Sequence, residues 1–351
     1  MTPPPPDRDE LLEGCAREPI HIPGAIQPHG SLLAFERGVA VIASADRADA
    51  LGHTLLEVFG ADAAAAIEHA APGQPLTVET ASGPLDVTTH LSGGLRVVEA
   101  EPPTDLDLDE RFGLLEALRT LQATASISEL LDTVAAAVRT LTGFDRVMIY
   151  RFDADWNGAV VAEARGAGLE AFLGLRYPAS DIPPQARALY LRTPVRLIPA
   201  VAHEPVPLMS APERAHAGPL DLSEATLRAV SPVHLEYLRN MGVAASMSAA
   251  LTVDGALWGL IACHHEAGPR RPSQRMRAGV DVVAKTASTL LAQLQLAADA
   301  TERVDLLLRI DAISARLAEA DGSPLAALTA VGADLAAVLA ADGAATWRDG
   351  E

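Results

Sequence analysis

The chain contains only two cysteines, and their settings differ. Cys15 lies outside any periodic element, close to Arg17, in a proline-rich and acidic N-terminal segment. A thiol near a cation can react as a thiolate and bond covalently with a ligand. Composition alone leaves open whether Cys15 attaches a ligand or is a spare exposed cysteine. Cys263 follows Ile261 and Ala262 within a strand pattern, which predicts a small buried residue.

Several other side chains could do chemistry together. His264 and His265 are adjacent in a strand pattern, so they point to opposite faces and cannot easily share a metal ion. Ser246 and Ser248 are two residues apart, so both hydroxyls lie on one face of their strand. Asp181 comes shortly before a proline pair, where an aspartate often caps a helix. We predict no metal site.

The composition excludes several classes of partner. The 351-residue chain has a formal net charge of -19, which repels phosphate backbones and anionic lipid. No uncharged apolar run reaches the ~18 residues that a membrane span needs, and the N-terminus lacks the features of a signal peptide. Two cysteines do not make a disulfide framework and fit a reducing cytosol. We therefore expect a cytoplasmic protein that binds neither nucleic acid nor membrane.

The elements that position these groups form two predicted domains after a flexible leader at 1–15. The first domain, 16–104, is predicted to hold an alanine-rich helix near 61–70 among short strands. The strand candidates are Ser31–Phe35, Ala40–Ala43, Leu76–Glu79, Leu85–Thr89 and Leu95–Glu99. A linker rich in proline and acidic residues follows at 101–110.

The second predicted domain, 105–297, begins with helical patterns. Ser126 or Ser128 can cap one of these helices, and Gly143 can end it. Residues 200–226 show no strong periodicity and are predicted to form a long functional loop. Asp254-Gly255 separates two β runs and predicts a hairpin.

The tail from about 273 to 320 is one long helical pattern. Its apolar residues recur at spacings of three and four: Met276, Val280, Val283, Ala287, Leu290, Leu294, and then Leu306, Ile310, Ile313 and Leu317. This spacing predicts a coiled-coil-like seam and a helical dimer spine. Residues 298–351 are expected to be spine and the start of a further domain, so the chain reads as part of a longer protein.

Four segments together resemble the bacterial phytochromes. They are Cys15 followed by REPIHIPGAIQPHG, then YPASDIPPQARALY, SPVHLEYLRNMGV and LWGLIACHH, in the family's order and spacing. The resemblance covers roughly residues 12–320. It implies an α+β fold: a PAS domain and a GAF domain, each with an antiparallel sheet and flanking helices, and a tail that opens a PHY domain. It also implies a figure-of-eight knot, in which the stretch around Ile26 threads a lasso made by residues 200–230.

The resemblance further implies a cofactor, biliverdin IXα, joined through ring A to Cys15 by a thioether. Plant and cyanobacterial relatives place their attaching cysteine in the GAF helix, just before its histidine. This chain has Val233 there, which leaves Cys15 and goes with biliverdin rather than reduced bilins.

A bilin needs partners for its polar groups, cations for two propionates and an apolar slot. The resemblance places Asp181 and His234 against the pyrrole nitrogens, His264 on the ring D carbonyl, and Arg196 and Arg228 on the propionates. In so acidic a chain, these arginines could equally be surface ion-pair partners. The remaining implied pocket residues are Ser231, Ser246, Ser248, Tyr150, Tyr177, Tyr190, Tyr237, Ile182 and Pro183.

Two details concern the ring D region. The family often has phenylalanine where Tyr177 stands, which puts colour tuning in doubt. Met148 and Ile149, beside Tyr150, are predicted to be ordinary strand core.

The implied function is a red/far-red photoreceptor. Z/E isomerisation of the bilin would pass the hydrogen bonds of ring D from His264 toward Asp181 and strain the helical spine. The output, expected to be a histidine kinase acting on a response regulator, is absent from these residues, and no enzyme activity beyond autocatalytic attachment is predicted. A GAF-type sensor of a small unattached ligand is the alternative. A cysteine–histidine hydrolase ranks last, because no oxyanion-type glycine turn adjoins Cys15.

Overall fold

The computed structural model describes residues 18–104, 108–214, 216–319 and 324–345. They fall into two compact units, divided between Leu290 and Leu291. The first unit holds two antiparallel sheets with flanking helices. The predicted α+β fold class is thereby confirmed.

The first domain contains, in chain order, β1 (Ala25–Ile26), β2 (Ser31–Glu36), β3 (Val39–Ser44), α1 (Leu55–Phe59), α2 (Ala61–His69), β4 (Leu76–Thr80), β5 (Gly83–Ser92) and β6 (Leu95–Glu101). The second contains α3 (Leu108–Gln122), α4 (Ile127–Thr142), β7 (Arg146–Phe152), β8 (Gly158–Arg165), β9 (Arg176–Tyr177), α5 (Pro184–Tyr190), β10 (Val195–Ile198), β11 (Val206–Ser210), α6 (Pro232–Asn240), β12 (Ala245–Val253) and β13 (Ala256–His265). The helices α7 (Gln274–Glu319), α8 (Pro324–Ala330) and α9 (Gly332–Val338) follow.

The sheet of the first domain buries both of its faces. Alternate residues of a strand point to opposite sides, so β6 contributes to two cores. On one side Val98 packs with Phe59 and Ile67 of the two helices. On the other side Val97 packs against Leu222, which belongs to the long connection before α6. The second core therefore ties the two domains together.

Residues 200–226 are not the plain loop that their lack of periodicity predicts. β11 forms within them and joins the first sheet, whose strand order is β1-β11-β3-β2-β6-β5-β4. Ile26 of β1 pairs with Val206, while the Gln27 N–H donates to the Leu227 carbonyl at 2.7 Å. The chain around Ile26 thus contacts both this stretch and the residue that follows it, Leu227. Its threading into a knot stays a prediction.

The sheet of the second domain has the strand order β10-β12-β13-β7-β8-β9. Helix α4 packs on β7 and β8. The Ser126 hydroxyl caps this helix by accepting the Glu129 N–H, and Gly143 ends it with a φ of 65°, as the sequence predicts. Cys263 of β13 is fully buried, also as predicted, and burial raises the pKa of its thiol.

The predicted seam of the tail lies on α7 and has two different environments. Met276, Val280, Val283 and Ala287, in the first unit, are buried within the chain itself. This half of the seam is the packing face of a surface helix, which produces the same apolar spacing as a coiled coil. Its prediction as a dimer seam was therefore wrong.

The second unit comprises the rest of α7 with α8 and α9. Ile313 is buried in it, and Arg316 pairs with Asp334 of α9. Leu306 and Ile310 are exposed, at 39% and 44%. Within the described ranges, no helix combines the length and apolar composition that a membrane crossing requires.

Candidate ligand-binding site

A cavity of about 320 Å³ lies between one face of the second sheet and helices α5 and α6. Its volume falls within the range of small-ligand sites. Apart from Cys15, which lies outside the described residues, all the predicted site residues line it: Tyr150, Tyr177, Asp181, Ile182, Pro183, Tyr190, Arg196, Arg228, Ser231, His234, Tyr237, Ser246, Ser248 and His264.

Strand register brings several of these side chains onto one face of the sheet. Arg196 of β10 stands opposite Ser248 of β12, and Ser248 stands opposite Ala262 of β13. In the neighbouring row, Ser246 stands opposite His264. The two serines share a face, as their spacing predicts.

Two arginines, Arg228 buried and Arg196 partly buried, make one part of the cavity cationic. Burial, together with the neighbouring charge of Arg228, lowers the pKa of Arg196 to about 9. Arg228 is 6% exposed, and burial lowers its pKa as well. Arg196 donates to the carbonyls of Thr226 and Ala229 at 3.0 and 3.1 Å, and to that of Arg228. Arg228 donates to the Leu222 carbonyl at 3.1 Å.

Among the described residues, no carboxylate lies within 4 Å of either guanidinium. The alternative that Arg196 and Arg228 are surface ion-pair partners is therefore wrong. Two guanidinium groups that bond only with carbonyls give this part of the cavity positive charge without an ion-pair partner, which suits an anionic ligand.

Hydroxyl groups occupy the space beside the arginines. The Tyr190 hydroxyl and Ser248 Oγ are 2.7 Å apart. Ser231 Oγ donates to Glu18 at 2.5 Å. Glu18, the first described residue, also lines the cavity, so the described chain begins at the site.

His234 and Tyr237 of α6 meet Asp181 across the cavity. The His234 and Tyr237 rings stack with centroids 6.2 Å apart, and the Tyr237 hydroxyl donates to the Asp181 carboxylate at 3.2 Å. The His234 ring is accessible from the cavity, but surrounding protein removes much of its hydration. This desolvation, with repulsion from Arg196, lowers the His234 pKa to about 4.

Asp181 is not the cap of α5, which was one interpretation of it. That helix begins at Pro184, its N-cap residue is Pro183, and no side chain caps it. Asp181 instead closes a separate 3₁₀ turn, Ala179–Asp181, which presents it to the cavity. A helix cap would have held the carboxylate on the backbone and away from a ligand.

His264 is surrounded by buried charge. Its Nδ1 is buried without a hydrogen-bond partner in the described part of the chain. Arg146 stands opposite it on β7 and forms a buried ion pair with Glu163. Burial is the main reason that the His264 pKa falls to about 4, and repulsion from Arg146 and His234 adds to it. His264 is therefore neutral near pH 7 and able to donate one N–H.

His265, on the other side of the strand, has Nδ1 2.9 Å from the Asp145 carboxylate. It does not line the cavity with His264. Across the described residues, no group of three or more histidine, cysteine, aspartate or glutamate side chains is placed to hold a metal ion.

Sequence analysis missed the residue that makes room for two tyrosines. The Tyr150 and Tyr177 rings have centroids 5.9 Å apart. A Cβ on Gly158, which pairs with Tyr177, would lie 1.7 Å from Cζ of the Tyr150 ring. Gly158 ends the sequence DADWNG, whose composition is typical of a turn, so a glycine there has an ordinary explanation.

Other lining residues also escaped the sequence analysis. Met148, expected only as strand core, is buried but lines the cavity, because it shares a strand face with Tyr150. Further lining residues that the sequence analysis did not single out are Ile20, Gln185, Thr193 and Met241. The first, second and fourth lie within the motif segments, and Thr193 follows one of them by three residues.

Comparison with known proteins decides the family. The PAS fold family matches residues 15–103, and the GAF domain family matches residues 126–291. The chain is 41% identical over 360 residues to a protein named bacteriophytochrome from Xanthomonas campestris pv. campestris, covering 96% of this chain and 56% of that protein. The chromophore-binding domain of Stigmatella aurantiaca bacteriophytochrome, a variant in the Pr state, matches with a TM-score of 0.73 and 40% identity, over 80% of this chain and 99% of that one. The chain belongs to the bacteriophytochrome family.

A larger structure extends the match. The Stigmatella aurantiaca phytochrome photosensory core module has a TM-score of 0.80 and 37% identity, over 93% of this chain and 69% of that one. The resemblance inferred from the motif segments is confirmed. This bacteriophytochrome chain spans about half the length of its Xanthomonas relative, and most residues that line its cavity belong to the GAF domain.

Proposed function

We propose that this chain binds biliverdin IXα covalently through Cys15 and is the photosensory part of a red/far-red light receptor. The observation that carries the proposal is a cavity with two kinds of polar group that lack a partner: guanidinium groups without a carboxylate, and an imidazole nitrogen without a hydrogen bond. Arg228, which is buried, and Arg196, which is partly buried, line the cavity without a carboxylate partner in the described chain, and His264 has a buried Nδ1 without a partner.

Propionates would meet the first demand. A guanidinium binds a carboxylate through two parallel hydrogen bonds, and such bonds strengthen when water is excluded. The hydroxyls of Ser231, Ser246 and Ser248 line the same cavity and can add bonds to the propionate oxygens.

Pyrrole and lactam groups would meet the second demand. When bound, the bilin supplies red-light absorption and Z/E isomerisation at its C–D methine bridge. His234 and Asp181 would hold the pyrrole nitrogens, and neutral His264 would donate to the ring D carbonyl. The Asp181 carboxylate, which can only accept, would bind the ring D N–H after isomerisation. The ring D surroundings are completed by Tyr150, Tyr177 and Tyr237, with Ile182, Pro183 and Tyr190 lining the cavity.

Cys15 is assigned to ring A. It precedes Glu18, which lines the cavity, by only three residues, and three extended residues span at most about 11 Å. Val233 lines the cavity at the position where plant and cyanobacterial relatives attach their bilin. A valine there cannot form a thioether, which leaves Cys15 as the nucleophile.

The test is to mix biliverdin with the purified chain, record its absorption spectrum and then denature it. Wild-type chain should acquire a red absorption band and keep the pigment under denaturing conditions. Cys15→Ser should bind the pigment, because the arginines and cavity remain, but release it on denaturation. Cys263→Ser is the matched control and should retain it.

Two results would contradict the proposal in different ways. Pigment that stays on denatured Cys15→Ser would show that another residue is the nucleophile. A wild-type chain that releases its pigment would favour the alternative, a GAF-type sensor of an unattached ligand.

We also propose that the full-length protein is a cytoplasmic homodimer that signals through its C-terminal helices to a histidine kinase output and a response regulator. The greater length of the Xanthomonas relative and the exposure of Leu306 and Ile310 on α7 support this. Light-dependent phosphorylation of a response regulator by the full-length protein would test it. Equal phosphorylation in darkness and red light would refute it.

A further inference from the structure

A buried carboxylate interrupts an apolar face of the PAS sheet. Leu95, Val97 and Glu99 of β6 point to the same side, because strand residues alternate. Leu95 and Val97 belong to the apolar core shared with Leu222 and Leu227. Glu99 is 1% exposed. A carboxylate so completely removed from water is costly unless its oxygens are bonded.

The Glu99 carboxylate bonds to the chain immediately before Arg228. Oε1 accepts the Leu227 N–H at 2.6 Å and the Thr226 hydroxyl at 3.3 Å, and Oε2 accepts the Thr226 N–H at 3.1 Å. Nδ1 of His90 lies 3.9 Å from Oε2. Two consecutive peptide groups are therefore held by one side chain from the other domain.

Arg196 holds the same segment from the GAF side. Its guanidinium donates to the carbonyls of Thr226, Arg228 and Ala229. A PAS carboxylate thus binds the N–H groups of the segment while a GAF guanidinium binds its carbonyls. Burial lowers the pKa of Arg196 and of Arg228, and the negative charge of Glu99 raises both pKa values in the opposite direction.

We infer that Glu99 is a positioning residue for ligand carboxylates: it fixes the backbone from which Arg228 reaches the cavity. The inference rests on the proposed function, which assigns a propionate of biliverdin to Arg228. Glu99 does not itself line the cavity. The PAS domain thereby raises bilin affinity through the placement of a GAF arginine.

The experiment compares biliverdin with its dimethyl ester, which has the same ring system but no propionate charge. Dissociation constants are measured in a Cys15→Ser background, where binding is reversible. Glutamine offers one acceptor oxygen in place of two, so Glu99→Gln loses a backbone bond. We expect it to weaken biliverdin binding about tenfold, as for one lost charge-assisted bond, and ester binding less than about twofold.

Glu101→Gln is the matched control. Glu101 is a buried carboxylate on the same strand, but it bonds with Arg277 at 2.6 Å and not with the segment before Arg228. It should leave the ratio of the two dissociation constants unchanged. If Glu99→Gln does not fold, Glu99→Asp withdraws the carboxylate by one methylene and should show the same selective loss.

The outcomes separate the inference from the proposed function. A parent chain with equal affinity for biliverdin and the ester would refute the propionate assignment itself. If the Cys15→Ser chain prefers biliverdin to the ester and Glu99→Gln shows the same preference, only the role of Glu99 is overturned. Equal losses for both ligands would show that Glu99 merely supports the fold, and tighter biliverdin binding would show that it competes with the propionate.

Discussion

Arg146 and His264 stand directly opposite each other in the register of β7 and β13. The Arg146 guanidinium, 2% exposed, pairs with Glu163, donates to the Glu170 carbonyl at 2.6 Å and lies 3.9 Å from the centroid of the Phe172 ring. It thus anchors the connection between β8 and β9 and repels a proton from His264.

Arg146→Met should leave the buried Glu163 with one ion-pair partner, the exposed Arg165, whose Nε lies 3.7 Å from Glu163 Oε2. We expect the free energy of unfolding of the ligand-free chain to fall by ~3–5 kcal/mol, which denaturant titration measures. The double variant Arg146→Met/Glu163→Met buries neither charge and should recover most of the loss. A single variant as stable as the wild type would show that the pair is not a buried one in solution.

Arg228→Ala should slow or weaken assembly with biliverdin. In the proposed function it removes the charge partner of a buried propionate, a loss on the order of 2–5 kcal/mol. Arg192→Ala is the control, because Arg192 is 50% exposed and pairs with Asp221 and Glu224 at the surface. Assembly is followed by absorption after mixing. Equal kinetics in the two variants would remove Arg228 from the propionate site.

Local patterns predicted the parts of the site that depend on local geometry. The two-residue spacing of Ser246 and Ser248 placed both hydroxyls on the cavity face, because strand side chains alternate. Asp254-Gly255 predicted the hairpin of β12 and β13, since both residues adopt the positive φ, 50° and 77°, that such a turn needs. The ligand and its contacts were predicted from resemblance to the bacterial phytochromes and not from local geometry.

The parts that could not be predicted depend on contacts between distant segments. Glu99 bonds to Thr226, 127 residues away, and nothing in the strand pattern of β6 indicates that partner. β11 is five residues long, and its alternation is too short to show that it would join the sheet of the other domain. Gly158 is needed because of the ring of Tyr150 on the neighbouring strand.

Gly158→Ala should displace the Tyr150 ring. The added Cβ would lie 1.7 Å from that ring, so the ring or the strand must shift, which typically costs ~1–3 kcal/mol. We expect lower stability and an altered absorption spectrum of the biliverdin complex. Gly166→Ala, whose Cβ would be 3.6 Å from its nearest neighbours, should change neither. A Gly158→Ala spectrum identical to the wild type would place Tyr150 away from the pigment.

Stability of the ligand-free chain should fall as pH falls from about 7 to 4. Burial, with repulsion from Arg277, lowers the His29 pKa to about 3. Glu101 lies 3.7 Å from His29, and burial raises the pKa of its carboxyl, while the Arg277 that bonds it at 2.6 Å repels a proton from His29. Below about pH 6.5 the unfolded chain takes up a proton on His29 that the folded chain refuses, so unfolding is favoured.

The size of this effect is up to ~1.4 kcal/mol per pH unit for His29. His234 and His264, whose pKa values are also lowered by burial, act in the same direction but by less, since they face the cavity. Denaturant titrations at pH 7, 6 and 5 should show a shallower slope for His29→Gln. His53→Gln, at a 56% exposed side chain, should keep the wild-type slope. Equal slopes in both variants would mean that His29 is hydrated.

Asp181→Leu should separate binding of the pigment from photoconversion. The carboxylate accepts from Tyr237 at 3.2 Å, and in the proposed function it receives ring D after isomerisation. It then stabilises the photoproduct more than the dark form, and only such a difference shifts populations. The variant should bind biliverdin and absorb red light but fail to accumulate the far-red-absorbing form, and its fluorescence should rise.

The measurement is a difference spectrum before and after red illumination, with the fluorescence yield alongside. Asp181→Asn is the matched comparison: it keeps the size and one acceptor oxygen, so its conversion should lie between those of the wild type and Asp181→Leu. Full red-to-far-red conversion in Asp181→Leu would refute the switching role. If neither variant binds biliverdin, the Asp181–Tyr237 contact is needed to shape the cavity. Asp181 would then have a structural role in binding, and its role in photoconversion would be refuted as the cause of the defect.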